Sequence, residues 1–180
     1  MQRIEFKSNN FPLLLRDIAA PPKELYYLGT IPDLPMVAIV GSRAITEYGQ
    51  YMTYRLAYDL AKAGMCIVSG LALGVDAIAH QAALEAGGAT LAVLAGGLDN
   101  PSPRSNYRLF ERILNSGGGV ISEYPSGTTP FKQNFPARNR IIAGLSLCTI
   151  ITEANASSGS SITYQATPPG WASTLTAASE

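Results

Sequence analysis

Five short apolar runs, each ending at a turn rich in small or polar residues, constrain this chain more than anything else in it. Val37–Val40 ends at Gly41, Met65–Val68 at Ser69-Gly70, Thr90–Ala95 at Gly96-Gly97, Val120-Ile121 at Ser122, and Cys148–Thr152 at Glu153. Short runs with apolar residues at consecutive positions are what strands buried on both faces look like. Between them the spacing becomes helical. Met52, Leu56, Leu60 and Ala63 recur over Thr46–Ala63, and Gly64 ends that helix. Val75, Ile78, Ala79, Ala82 and Ala86 precede Gly87-Gly88, a further helix runs from about Ser105 to Asn115, and Ile141, Ile142 and Leu145 mark the last.

Strands alternating with helices in this order imply parallel pairing, because parallel neighbours must be joined by a crossover. The expected fold is α/β, a Rossmann-like, doubly wound, mostly parallel sheet with helices on both faces, over residues 36–165. Residues 1–35 read as an extended, proline-punctuated lead-in packing on that core, with a short helix over Phe11–Ile18 and a strand at Leu25–Gly29. Residues 166–180 show neither helical nor strand period and are expected to be an irregular, disordered tail.

At 180 residues one domain with a proper core is expected. No apolar run is long enough to span a bilayer, and the mixed-charge start Met1 to Lys7 lacks a signal peptide's apolar region. A cytoplasmic protein with no membrane partner is expected. Cys66 and Cys148 lie inside apolar runs and read as buried structural thiols, with no metal or disulfide spacing.

In doubly wound sheets ligands bind at the carboxyl ends of the strands. The turns there are Gly41-Ser42-Arg43, Ser69 to Gly74, Gly96-Gly97, Ser122 to Gly127 and Glu153 to Ser161, whose small residues let backbone N–H groups approach a ligand. Pro136 is placed to open the last helix. That puts Arg138 and Arg140 in its first turn, against the positive end of the macrodipole, a mismatch of about 0.3–1 kcal/mol each. With Lys132 adjacent this is a place for an anion, phosphate above all. Pairing with carboxylates, or simple exposure, is the alternative reading of the same arginines.

The formal net charge is zero, yet Ser102 to Arg140 carries Arg104, Arg108, Arg112, Lys132, Arg138 and Arg140 against Glu111 and Glu123, +4 locally. A local patch can bind a polyanion on a neutral protein by releasing its counterions; a solvated face is the alternative. Tyr107, Tyr124, Phe131 and Phe135 lie among these charges, able to stack on bases or to fill core. A basic rim with interleaved aromatics suits single-stranded nucleic acid better than duplex, since no recognition helix is evident.

Gly70 to Gly74 lacks the full spacing of a dinucleotide fingerprint, and no G-x-x-x-x-G-K-[ST] loop is present, so no cofactor is expected. His80, the single histidine, reads as a packing or capping residue. Glu123 and Glu153 stand at strand ends and offer an acid and a base in principle, with hydrogen bonding to loop N–H groups the favoured role. Ser42, Ser122 and Ser160 have no catalytic partner, and no enzyme is expected. The runner-up is a nucleotide-binding enzyme of phosphoribohydrolase type, whose Gly-Gly-x-Gly-Thr-x-x-Glu loop Gly96-Gly97-Leu98-Asp99 does not supply.

Four motifs, in this order, resemble the DNA-processing protein A (DprA/Smf) family. They are Val37-Ala-Ile-Val-Gly-Ser-Arg43, Gly70-Leu-Ala-Leu-Gly-Val-Asp-Ala-Ile-Ala-His80, Ser122-Glu-Tyr-Pro-Ser-Gly127 and Phe135-Pro-Ala-Arg-Asn-Arg-Ile-Ile-Ala-Gly-Leu-Ser146. The lead-in ending Pro21-Pro22-Lys-Glu-Leu-Tyr-Tyr-Leu-Gly29 fits as well, so the likeness covers about Phe11 to Gln165. The resemblance implies a protein without enzymatic activity. It would bind single-stranded DNA in a positively charged pocket, protect incoming DNA, load the RecA recombinase during natural transformation, and act as a homodimer. It also implies DNA contacts at Arg43, Arg138, Asn139 and Arg140 and at Lys132, with Gly41, Ser42 and Gly70 shaping the pocket. After the last matched strand the family's pattern survives only as Glu153 followed by Ser158-Gly-Ser-Ser-Ile-Thr163, so the end is expected to be altered or shortened relative to the family.

Overall fold

The structure is a computed structural model, and it describes residues 1–154 and 175–176. Most of the expected tail, 166–174 and 177–180, lies outside the described residues, as does Ser160. Among the described residues eight strands form one sheet: β1 (Gln2–Glu5), β2 (Glu24–Gly29), β3 (Met36–Val40), β4 (Cys66–Ser69), β5 (Thr90–Val93), β6 (Gly119–Ser122), β7 (Cys148–Ile151) and β8 (Leu175–Thr176). Their spatial order is β1-β2-β6-β5-β4-β3-β7-β8. Every pairing from β6 to β8 is parallel, and β1 and β2 extend the β6 edge as an antiparallel hairpin. Strands β3 to β6 are laid down in one direction; the chain then crosses back to place β7 on the far side of β3. Helix α4 (Asn134–Leu145) makes that crossing, while α1 (Glu47–Lys62), α2 (Val75–Glu85) and α3 (Tyr107–Asn115) cover the other face. This is the doubly wound sheet expected from the alternation.

The continuous apolar runs are explained by burial on both faces. Met36, Ala38 and Val40 of β3 join the core under α4, whereas Val37 and Ile39 point to α1 and α2. Cys66 and Val68 oppose Ile67 in the same way, and Leu91 and Val93 oppose Ala92. Burial pushes the Cys66 thiol up to about 12, which leaves it inert at neutral pH, and Cys148 is half-buried with its thiol raised for the same reason.

Helix α1 buries a different stripe from the one its larger residues suggest. Gly49, Thr53, Ala57 and Ala61 face inward, Met52, Leu56 and Leu60 are half-buried flanks, and Ala63 is exposed. The buried set is small because α1 packs closely on α2, whose own buried face is Ala79, Ala82 and Ala83. Small side chains permit close approach of two helices, and apolar mass alone does not reveal it. The lead-in follows the same logic. Phe11, Leu15 and Ile18 are buried under α4, where Gly144 leaves room; a Cβ there would lie 2.6 Å from Ile18 and 2.9 Å from Leu15. Among the described residues no helix is long and apolar enough to cross a membrane.

His80 is fully buried on α2. The Thr90 hydroxyl donates to the Ile67 carbonyl at 2.7 Å, so His80 Nδ1, 2.7 Å from Thr90 Oγ1, is the donor of that pair. Its Nε2 is buried without a hydrogen-bond partner among the described residues. Burial, with the Arg138 charge adding to it, pushes the imidazole pKa from 6.5 down to about 3. Below 6.5 the unfolded chain gains a proton that the folded chain refuses until about 3, so stability present above that window is lost as pH falls through it. We expect a loss approaching about 1.4 kcal/mol per pH unit in the acid limb. Thermal melts taken from neutral pH to about pH 5 should show Tm falling in the wild type and a flatter profile in His80→Gln; identical profiles would assign the effect to another group.

Candidate nucleic-acid interface

Helix α4 begins at Asn134, earlier than Pro136. Asn134 Nδ2 donates to the Ala95 carbonyl at 3.0 Å, beyond the end of β5, and its backbone N–H to Phe131 at 2.9 Å. Pro136 still lies in the first turn, where its missing N–H costs nothing. Arg138 and Arg140 fall one turn further in, so the macrodipole mismatch expected for them fades, since the effect is confined to the first turn.

The two arginines face different surroundings. Arg138 is 4% exposed. Its Nη1 donates to the Gly70 carbonyl at 2.8 Å and to the Val93 carbonyl, and its Nε to Asn139 Oδ1 at 3.2 Å. The same Gly70 offers its N–H to Asp76 Oδ2 at 3.1 Å, and Ala72 N–H donates to that oxygen at 3.3 Å. The two peptide groups flanking Gly70 are therefore held, one by a buried carboxyl and the other by a buried cation. Burial lowers the Arg138 pKa to about 10, with Asp76 pulling it up and Arg43 pushing it down. Burial likewise raises Asp76, against Arg138 and the loop amides, which pull it back. A Cβ on Gly70 would stand 2.4–2.5 Å from the Arg138 guanidinium, so only glycine leaves room for the clamp.

Arg140 is a latch. Its guanidinium meets Glu123 in a two-pronged pair at 2.7 and 2.6 Å, and its Nε donates to the lead-in carbonyl of Ala20 at 2.8 Å. Glu153 is engaged as well: it accepts from Thr46 N–H (3.1 and 3.3 Å) and Thr46 Oγ1 (2.7 Å) at the N-terminus of α1. Gly49 makes space for that carboxylate, 2.1 Å from where its Cβ would be. Both glutamates thus hydrogen-bond within the fold. Ser42 is buried, its Oγ donating to the Ala44 carbonyl at 2.6 Å and its N–H to Glu153 at 2.7 Å. Gly41 packs where a Cβ would meet the Glu153 carbonyl at 2.5 Å and Val75 at 2.6 Å.

Besides Asp99, which is exposed and bonded to the Gly127 N–H, the outward side chains of the rim are basic and aromatic. Arg43 is exposed, with its guanidinium 5.1 Å from the centre of the half-buried Phe135 ring. Lys132 is exposed and has no ion-pair partner among the described residues; Phe131 beside it is 58% exposed and Tyr124 half-buried. Gly74, at φ +73°, presses on the backbone of Ser42 and Arg43, which joins the Gly70–Gly74 loop to the Arg43 turn. Leu71 in that loop is buried at φ +60°, a conformation costing a β-carbon-bearing residue on the order of 1 kcal/mol. Asn106 helps hold it there by donating to the Leu71 and Ala72 carbonyls at 2.9 and 3.1 Å. Spacing does not distinguish Asp76, Asn106 and Asn134, which set this rim; the polar identity of Asp76 in an otherwise apolar helix start is the available signal. Among the described residues no group of three His, Cys, Asp or Glu could hold a metal ion.

Removing Arg138 should leave Asp76 buried without its counter-charge, and Arg138→Ala should cost about 3–5 kcal/mol in chemical denaturation. The double variant Arg138→Ala/Asp76→Ala should lose less than the sum of the single losses, whereas simple additivity would show that the two groups do not share an interaction. Gly70→Ala should destabilise by displacing the same guanidinium, read as a drop in Tm.

The sequence profile of the family described as DNA recombination-mediator protein A matches residues 2–168. A protein Smf from Synechocystis sp. is 47% identical over 160 residues, covering 86% of this chain and 40% of that protein. The structure of DNA processing protein A from Streptococcus pneumoniae superposes with a TM-score of 0.85 at 42% identity, over 91% of this chain and 58% of that one. A structure of DNA processing protein A from Helicobacter pylori, described for its single-stranded DNA binding mode, gives a TM-score of 0.83 at 37% identity, over 92% of this chain and 76% of that one. The chain spans 40% and 34% of the length of the Smf proteins of Synechocystis sp. and Escherichia coli that it matches, and 57% of the Bacillus subtilis relative. With nearly its whole length matched by the profile and its fold shared with these structures, the chain belongs to the DNA recombination-mediator protein A family.

Proposed function

We propose that the chain binds single-stranded DNA along the carboxyl rim of its sheet and acts as a recombination mediator rather than an enzyme. It would protect the strand and load a RecA-type recombinase onto it, as a cytoplasmic homodimer. The observation that carries this is Arg43, an exposed guanidinium resting on Phe135 beside a glycine-rich loop, with no acidic partner among the described residues. A cation held by a ring keeps its N–H groups free for phosphate at a cost in ordering already met by the stack, worth about 0.5–1 kcal/mol. Arg43 and Lys132 take phosphates, and Phe131, Phe135 and Tyr124 offer ring faces to bases. Gly41, Ser42, Gly70, Arg138 and Asn139 shape the floor, and Arg140 fastens it. The description of the Helicobacter pylori relative by its single-stranded DNA binding supports the same ligand here.

The rim acids argue against the phosphoribohydrolase alternative. Glu123 is paired with Arg140, Glu153 caps α1, and Asp99, in the Gly96-Gly97 loop, accepts from the Gly127 N–H at 3.0 and 2.9 Å. In a hydrolytic reading one of these carboxylates would have to leave or share its present partner to move a proton.

Fluorescence anisotropy of labelled oligo-dT across a salt series tests the reading. Log affinity should fall with log salt at about −0.7 per phosphate neutralised. Arg43→Ala and Lys132→Ala, both at exposed positions, should each lower the affinity by roughly tenfold and flatten the slope by about 0.7. Tm should be unchanged in Lys132→Ala and lowered in Arg43→Ala by no more than the loss of its stack, about 0.5–1 kcal/mol. A folded wild type that binds no strand would sink the proposal, and turnover of a nucleotide would replace it.

A further inference from the structure

We propose that helix α3 carries an extension of the binding site, an arginine and tyrosine track that holds the phosphate backbone of a single strand as it leaves the rim. The inference rests on the DNA-binding reading above.

The track is continuous with the rim through named contacts. Gly74 abuts Arg43, and the same loop's Leu71 and Ala72 carbonyls are held by Asn106, immediately before α3. Arg104 stands at the short 3-10 turn Arg104–Asn106 that leads into the helix. Arg108 and Arg112 follow on α3 at successive four-residue steps, hence on one face and about 6 Å apart along the axis. All three arginines are exposed, and none forms an ion pair among the described residues. Glu111, the single acid of α3, pairs with none of them.

The contrast with α1, whose two cations are matched by Glu47 and Asp59 on the same helix, sets α3 apart from an ordinary solvated face. There Arg55 bonds the Tyr51 hydroxyl at 3.0 Å and pairs with Asp59 at 3.9 Å, and Lys62 lies 5.9 Å over the Tyr58 ring. On α3 the cations are left open. Arg108 also sits in the first turn of α3, which contains no acid, so its charge meets the unfavourable end of the macrodipole without local relief. A phosphate between the arginines relieves both the mutual repulsion and the dipole mismatch. Tyr107, 49% exposed, stacks one face on Phe110 (5.8 Å between centres, 22° between planes), which fixes the ring as a platform for one base.

The test is length dependence. The probes are labelled oligo-dT of about four nucleotides, enough for the rim alone, and of about sixteen. The proteins are wild type, Arg108→Ala/Arg112→Ala and Arg108→Lys/Arg112→Lys. In the wild type the long strand should bind more tightly than the short one and with a steeper salt slope. The alanine pair should leave the short strand unchanged, weaken the long one by roughly tenfold and reduce its slope by about 1.4, two phosphates' worth. The lysine pair should restore most of that loss, since the contact is electrostatic. Tyr107→Ala should weaken only the long strand. Equal affinity of both strands for wild type, an unchanged long strand in the alanine pair, or equal weakening of both strands would each overturn the track while leaving rim binding intact. A wild type that binds neither strand would remove the rim reading and the track together.

Discussion

The structure turns on a guanidinium without water. Arg138 lies under the strand ends with its N–H groups spent on the Gly70 and Val93 carbonyls, and Asp76 completes the arrangement through the Gly70 amide. Taking both charges out of solvent is expensive, and a well-packed apolar pair would often be as stable or more so. What the charged arrangement supplies is position. It ties α4 to the ends of β4 and β5 at one register, and everything outward from it inherits that register. Phe135, one turn earlier on α4, is thereby set under Arg43, and Arg140, two residues later, is set against Glu123 and the lead-in.

A neutral chain carries a basic rim because its charges are sorted by partner. The acids near the strand ends are bonded to the fold itself: Asp76 to the loop amides of Gly70 and Ala72, Asp99 to Gly127, Glu123 to Arg140, Glu153 to Thr46. Helix N-termini and turns attract carboxylates for the same reason that they attract phosphate, so Asp76, Asp99 and Glu153 occupy amide sites of the rim while Glu123 takes a guanidinium. The cations that stay outward then set the field a ligand meets. Net charge summed over the chain hides this, whereas burial and pairing reveal it.

The alternation of strand and helix was legible in the sequence because burial on both faces leaves a continuous apolar run that few other structures produce. The candidate rim was legible in outline for a related reason, since strand ends in such sheets collect small residues. Finer features were set by contacts distant in sequence. Pro136 carries a strong start signal, but Asn134 begins the helix because its side chain reaches Ala95, some forty positions away. The inward stripe of α1 is made of Gly49, Thr53, Ala57 and Ala61, residues whose importance lies in what they leave out. Arg138 and Arg140 share residue type and helix, yet one is sealed and the other half-exposed in a carboxylate pair, a difference that spacing cannot express.

The lead-in belongs to the same mechanical system as the rim. Gly144, the penultimate residue of α4, costs the helix at most about 1 kcal/mol relative to alanine, yet a Cβ there would strike Leu15 and Ile18. The glycine lets the lead-in lie directly on the crossing helix, and burial of Phe11, Leu15 and Ile18 offsets its helix cost several times over, at about 1.5–3 kcal/mol for each large apolar side chain. Arg140 then fastens the lead-in at Ala20 and β6 at Glu123 with one side chain. Since Arg138 and Arg140 are only two positions apart, a shift of α4 that loosened the lead-in would move the Gly70 clamp with it. The rim is therefore held from both of its ends by one rigid helix, and its shape is set before any ligand arrives.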